Sequence, residues 1–98
     1  MYLKIHENSD RRIVAVCDKE LLGRVLEEGN VYIDLDKYRS FYAGELAGEE
    51  EVKKSLGDFH SANLVGKKAV HVGIEMGLVN EDDIIYVNKV PHTQIYKI

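Results

Sequence analysis

The chain has 98 residues, 45% of them hydrophobic and 31% charged, with a net charge of −4. That length suits one domain, residues 1–98, with a single core, and its short apolar runs exclude a membrane-spanning helix. One cysteine, Cys17, excludes an internal disulfide or a thiolate metal cluster, and the polar opening MYLKIHENSDRR lacks the apolar stretch of a signal peptide. A cytoplasmic protein with no membrane partner is expected.

Taken in order, Met1 to Glu7 alternates as a half-buried strand, Asn8-Ser9-Asp10 forms a turn, and Arg12 to Cys17 returns as a second strand. The pair reads as a hairpin. Cys17 closes an apolar run and reads as a small buried hydrophobe. Asp18 fits a helix N-cap, and Leu21, Leu22, Val25 and Leu26 give a helical stripe that ends at Gly29. Val31, Ile33 and Leu35 mark a third strand. Residues 36–44 fit either a strand or a loop. Gly48 opens a helix, with Glu49, Glu50 and Glu51 first and Lys53 and Lys54 last, an order that complements the helix dipole.

Ser61 to Val79 reads as the longest helix, capped by Ser61. Val65, Ala69, Val72, Met76 and Val79 share an apolar stripe; Ala62, Gly66, Gly73 and Gly77 give a face without bulk; Asn63, Lys67, His71 and Glu75 form a polar face. Asn80 to Asp83 is a turn, Ile84 to Val87 and Ile95 to Ile98 are short strands, and Pro91 belongs at an edge or between them. Strands, then helices, then strands predict an α+β domain. The expected architecture is a two-layer sandwich of a largely antiparallel or mixed sheet with helices on one face.

Charge is uneven along the chain. Residues 18–58 hold eleven acidic and six basic side chains, and residues 59–98 hold four of each. The later part therefore leaves room for a cationic patch. Near the start of the long helix, Asn63, Lys67 and Lys68 stand where free N–H groups favour an anion, and Gly66 leaves space for one. No phosphate-loop or dinucleotide motif accompanies them. His71 and Glu75 stand one turn apart, which reads as an ion pair; no metal site and no cofactor is expected. Asp58, His60 and Ser61 supply the residue types of a nucleophilic site but lack its motif. Lys37 to Tyr42 interleaves aromatic and basic side chains, a composition suited to stacking on bases. Pro91 stiffens the chain so that His92 and Gln94 project from the same side.

The runs Ala62-Asn63-Leu64-Val65-Gly66, Gly77-Leu78-Val79 and Val90-Pro91-His92 with Gln94 resemble an archaeal family, domain of unknown function 424. The likeness covers nearly the whole chain. It implies a compact α-β sandwich in a cytoplasmic protein, and it implies no reaction, substrate or cofactor. Asn63, Gly66, Pro91, His92 and Gln94 match its motif-like positions.

Three readings of function follow. The first is a non-catalytic binding module for RNA or a ribonucleoprotein, using Lys67, Lys68 and the 37–42 segment. The second is a small enzyme or ligand-binding protein in which Asn63, His71 and His92 meet. The third is a protein-interaction subunit or homodimer built on the small-residue helix face.

Overall fold

A computed structural model describes residues 1–97. Its strands are β1 (Tyr2–Asn8), β2 (Arg11–Cys17), β3 (Val25–Glu28), β4 (Val31–Asp34), β5 (Glu45–Leu46), β6 (Ser61–Val65), β7 (Ile85–Val87) and β8 (Val90–Tyr96). The α-helices are α1 (Arg39–Tyr42), α2 (Glu49–Ser55) and α3 (Lys67–Glu75); single 3-10 turns lie between β2 and β3 (Lys19–Leu21) and between α3 and β7 (Glu81–Asp83). Six strands form a mixed sheet in the order β5-β1-β2-β6-β8-β7, and β3 and β4 form a separate hairpin. The fold is α+β. Only β2 and β6 run parallel; the other neighbours in the sheet are antiparallel.

The run Val14-Ala15-Val16-Cys17 is wholly buried because both faces of the sheet are covered there. Val14, Val16, Ala62 and Leu64 point towards α2 and α3, whose Val52, Leu56, Ala69 and Val72 complete one core. Ala15, Cys17 and Val65 point the other way, into a second core with Leu21, Leu26, Leu35 and Tyr42. The β3–β4 hairpin and α1 therefore cover part of the face that α2 and α3 leave open.

One expected helix is shortened and another is absent. Residues 61–65 are a strand, and the helix begins only at Lys67. Gly66 separates them with φ +108°, which no helical residue adopts. The stripe from Val65 to Val79 arises because a strand and a helix bury side chains on adjoining cores, and a spacing of three to four does not distinguish that from one long helix. Met76 and Gly77 (φ +71°) end α3, and Leu78 N–H donates to Gly73 O at 2.9 Å, closing the helix in a Schellman turn.

The expected helix over 18–29 is instead a 3-10 turn followed by the first strand of the hairpin. Gly23 (φ +89°) breaks the helical course, and Gly29 (φ +61°) with Asn30 makes the two-residue turn between Glu28 and Val31. Residues 36–44 form a turn and the short α1.

Asp18 caps a helix other than the one its position suggests. Parallel pairing sets Cys17 beside Val65, so Asp18 lies beside Gly66. Its carboxylate accepts from Lys68 N–H at 3.0 Å and Ala69 N–H at 2.9 Å, and its own N–H donates to Val65 O at 3.0 Å. It is 2% exposed. The N-terminus of α3 is thus satisfied from within the chain.

Pro91 lies inside β8, between β6 and β7. Gly66 N–H donates to Pro91 O at 2.9 Å, while Gly66 O accepts from Val70 N–H at 3.0 Å. No donor is needed at residue 91 because β6 has already turned into α3. Of the expected strand at residues 95–98, Ile95 and Tyr96 form the end of β8 and Lys97 lies beyond it; Ile98 lies outside the described residues.

Candidate functional site

Register alone brings three of the singled-out residues together. Asn63 on β6 pairs with Gln94 on β8, and Val65 pairs with His92, so Asn63, Gln94 and His92 project from the same face. This is the face that carries the hairpin and α1. Between these layers runs a cleft of about 390 Å³, within the usual range for a ligand site. Asn63, His92 and Gln94 form its floor; Tyr32, Asp34, Tyr38 and Phe41 form its wall.

The floor is held by a chain of side-chain hydrogen bonds. Tyr96 Oη donates to Gln94 Oε1 at 3.2 Å, and Gln94 Nε2 donates to Asn63 Oδ1 at 2.9 Å. The wall is held by Asp34. Its Oδ1 accepts from Asp36 N–H at 3.0 Å and Lys37 N–H at 2.7 Å, and its Oδ2 accepts from Tyr32 Oη at 2.9 Å. The bond from Lys37 N–H is the main reason the Asp34 carboxyl titrates below its usual range. The same carboxylate pushes the Tyr32 hydroxyl up. Asp34 thus fixes the turn into α1 and the position of Tyr32 at once.

The short α1 is clamped to β1. Lys4 Nζ donates to Ser40 O at 2.6 Å, His6 Nε2 bonds Phe41 O at 2.9 Å, and the His6 ring stacks on Phe41 at 4.6 Å with 11° between planes. Tyr38 and Tyr32 remain more than half exposed, at 55% and 59%. Lys37 Nζ lies over the Tyr38 ring, 5.6 Å from its centre; the exposed parts of both rings are open to a partner. The side chains that meet here are rings, amides, one imidazole and the Asp34 carboxylate; the rings stack on a planar ligand and the amides hydrogen-bond its edge.

The other singled-out residues lie elsewhere. His71 is on α3, across the sheet from Asn63 and His92, so the three do not form one site. Its Nε2 pairs with Glu75 Oε1 at 3.0 Å. Lys67, His71 and Pro91 line a shallow groove beside Tyr86, and Lys68 lines another with Met1 and Glu49. The anion site imagined at Gly66, Lys67 and Lys68 is occupied by the Asp18 carboxylate. A side chain at Gly66 would overlap that group. The small-residue face also dissolves: Ala62 is on a strand, and the space over Gly73 is filled by Leu64 and Val79. Among the described residues, no group of three or more His, Cys, Asp or Glu side chains is placed to hold a metal ion. Cys17 is fully buried, and burial raises its thiol pKa to about 12, which removes it as a nucleophile.

Sequence reasoning missed Tyr32 and Asp34. Their signal was the Gly29-Asn30 hairpin turn together with an Asp placed to bond the N–H groups two and three residues on.

A family profile described as "Protein of unknown function (DUF424)" matches residues 6–98. The chain belongs to the DUF424 family. The crystal structure of an uncharacterized conserved protein from Methanopyrus kandleri is similar, with a TM-score of 0.77 and 27% identity, over 97% of this chain and 89% of that one. No curated protein matches the chain. The similarity covers both walls and floor of the cleft, so the DUF424 match extends over every residue named above from His6 onwards.

His92 gives this DUF424 chain a measurable pH dependence. Burial pushes its imidazole below the ordinary value of 6.5. Below about pH 6.5 the unfolded chain takes up a proton that the folded ring resists, so stability falls on acidification until the folded ring is protonated too. His92→Gln is expected to lose less stability than the wild type between about pH 7 and pH 5 in urea titrations. Parallel pH profiles for the two proteins would show that burial does not perturb this ring.

Proposed function

We propose that this protein is a non-catalytic, cytoplasmic binding module for single-stranded RNA that holds one unstacked base in the cleft. The observation that carries this reading is the meeting of exposed aromatic rings, Tyr32 and Tyr38, with the amides of Asn63 and Gln94. Unpaired bases are recognised by stacking on aromatic rings and by hydrogen bonds to their edges. The amides are held by neighbours, and Tyr32 is held by Asp34, which lowers the ordering cost of binding.

Fluorescence anisotropy with a labelled unstructured RNA checks the proposal. Tyr38→Ala is expected to weaken binding about tenfold, the scale of one lost base stack. Gln94→Ala is expected to act similarly, because it removes an edge contact and releases Asn63. Substituting Lys67 and Lys68 with Glu is expected to change affinity less than about threefold, since their contact could only be long-range and screened. Wild-type protein that binds no RNA, or binding indifferent to Tyr38 and Gln94, would reject the reading.

A further inference from the structure

The floor of the cleft continues along β6 and β8 beyond the cleft itself. Ser61 pairs with Tyr96 two residues from the Asn63–Gln94 pair, and Ile13 on β2 pairs with Ser61. Ile13, Ser61 and Tyr96 therefore share the face that carries Asn63, His92 and Gln94. This face is also free of competing negative charge. Among the described residues, no acidic side chain of the six-stranded sheet points to it. Glu7 pairs with Arg12 and Glu45 with Leu3, so both turn to the side of α2 and α3.

Tyr96 is uncovered and yet held. It is 69% exposed, and its hydroxyl donates to Gln94 Oε1 at 3.2 Å. Side chains two residues apart on a strand start about 7 Å from each other, so the ring must lean along β8 to make that bond. Gln94 Nε2 donates to Asn63 Oδ1 at 2.9 Å, and hydrogen bonds thus run unbroken from the Tyr96 ring to the cleft floor. Across the sheet stands Ser61, too small to cover the ring, and a shallow hollow of about 100 Å³ is lined by Ile13, Ser61 and Tyr96 among others. An aromatic ring fixed in this way stacks on a base at a low ordering cost. Tyr86 provides the contrast. It is 60% exposed, but it pairs with Pro91 and lines the groove of Lys67 and His71 on the opposite face.

We propose that Tyr96 is a second stacking platform, which takes the base next to the one held in the cleft, so that the protein grips two unstacked nucleotides of one RNA strand. This rests on the RNA reading and extends it from one base to two. The step of about 7 Å from Gln94 to Tyr96 is twice the roughly 3.4 Å between successive nucleotides of a stacked strand. Bases at the two places are therefore splayed apart, and each needs a ring of its own.

The test compares the full-length wild type with Tyr96→Ala, Tyr96→Phe and Tyr86→Ala. Each is titrated by NMR with a free nucleoside and with a dinucleoside monophosphate at one salt concentration, and the ratio of the two affinities is the readout. The wild type is expected to bind the dinucleoside about tenfold more tightly, the scale of one added base stack. Tyr96→Ala should lose most of that gain. Tyr96→Phe keeps the ring and should keep the ratio, and Tyr86→Ala should behave as the wild type. Both changes at Tyr96 release Gln94, so they should alter nucleoside binding to the same extent, and only the loss of the ring should lower the ratio. A ratio unchanged in Tyr96→Ala would overturn the second platform and leave the cleft reading standing. A ratio lowered equally by Tyr96→Phe would also overturn it, because the hydroxyl and not the ring would then be responsible. So would a wild type that binds both ligands equally. A wild type that binds neither ligand nor unstructured RNA would overturn both readings.

Discussion

Asp18→Ala is expected to destabilise the protein by about 3 kcal/mol, because it leaves two backbone N–H groups without partners beside a buried helix end. Lys68 N–H and Ala69 N–H both depend on that carboxylate, and unpaired buried donors cost about 1–3 kcal/mol each. For a domain of this size the melting temperature should fall by about 15 °C. Asp18→Asn keeps one acceptor oxygen and should lose about half as much. Gly66→Ala attacks the same junction from the other side. Its side chain would overlap Asp18, at a backbone φ of +108° that L-residues rarely adopt. The double variant Asp18→Ala/Gly66→Ala should cost less than the sum of the single variants, since the overlap disappears with the carboxylate. Urea denaturation measures all four. A loss below about 1 kcal/mol for Asp18→Ala would mean that water replaces the cap without penalty.

Gly44→Ala should be nearly as damaging, and it should reach the cleft. The added methyl would overlap the Leu3 carbonyl and crowd the Lys4 side chain. Neither neighbour is free to move, because Leu3 is paired with both β2 and β5, and Lys4 with β2. Backbone shifts forced by overpacking cost about 1–3 kcal/mol, occasionally more. The shift would pull on α1, which ends two residues earlier and is held to β1 through Ser40 and Phe41. The expected result is a loss of about 3 kcal/mol, with RNA affinity reduced about tenfold as Phe41 and Tyr38 leave their places. Gly48→Ala, with nothing near the added methyl, should cost under about 1 kcal/mol. Equal effects from the two substitutions would remove the argument from close packing.

Elements were legible in the sequence where pattern and punctuation agreed. The first hairpin has alternation and a polar turn, and α2 has glycine, acids and bases in order. The stretches 18–29 and 61–79 misled for a common reason. In each, apolar residues three and four apart belong to two successive elements divided by a glycine with positive φ; those of 61–79 enter two different cores, whereas Leu21 and Leu26 share one and Val25 is exposed. Asp18 illustrates the limit well: a capping residue was readable, but its helix begins 49 residues away, and only the β2–β6 register brings the two together. The same holds for the cleft. The common side of His92 and Gln94 was readable from their spacing in an extended segment, and only the β6–β8 register adds Asn63 to it. His71 was grouped with Asn63 only because residues 61–79 read as one helix.

The parallel pairing of β2 with β6 has a consequence for how the molecule can vary. Everything between Cys17 and Ser61 departs from one central strand and comes back to its neighbour. That excursion supplies the wall of the cleft, through Tyr32, Tyr38 and Phe41, while the floor belongs to the sheet. Closing a longer excursion costs only about 0.6 kcal/mol for each doubling of its length. Its tips can therefore be lengthened, shortened or exchanged without disturbing the strand register beneath, provided that Asp18 and the clamp to β1 are kept. The cover of the cleft lies before β5 in that excursion, while β5 and α2 stay with the platform, so one sheet can be retargeted by rewriting a single contiguous segment of the chain.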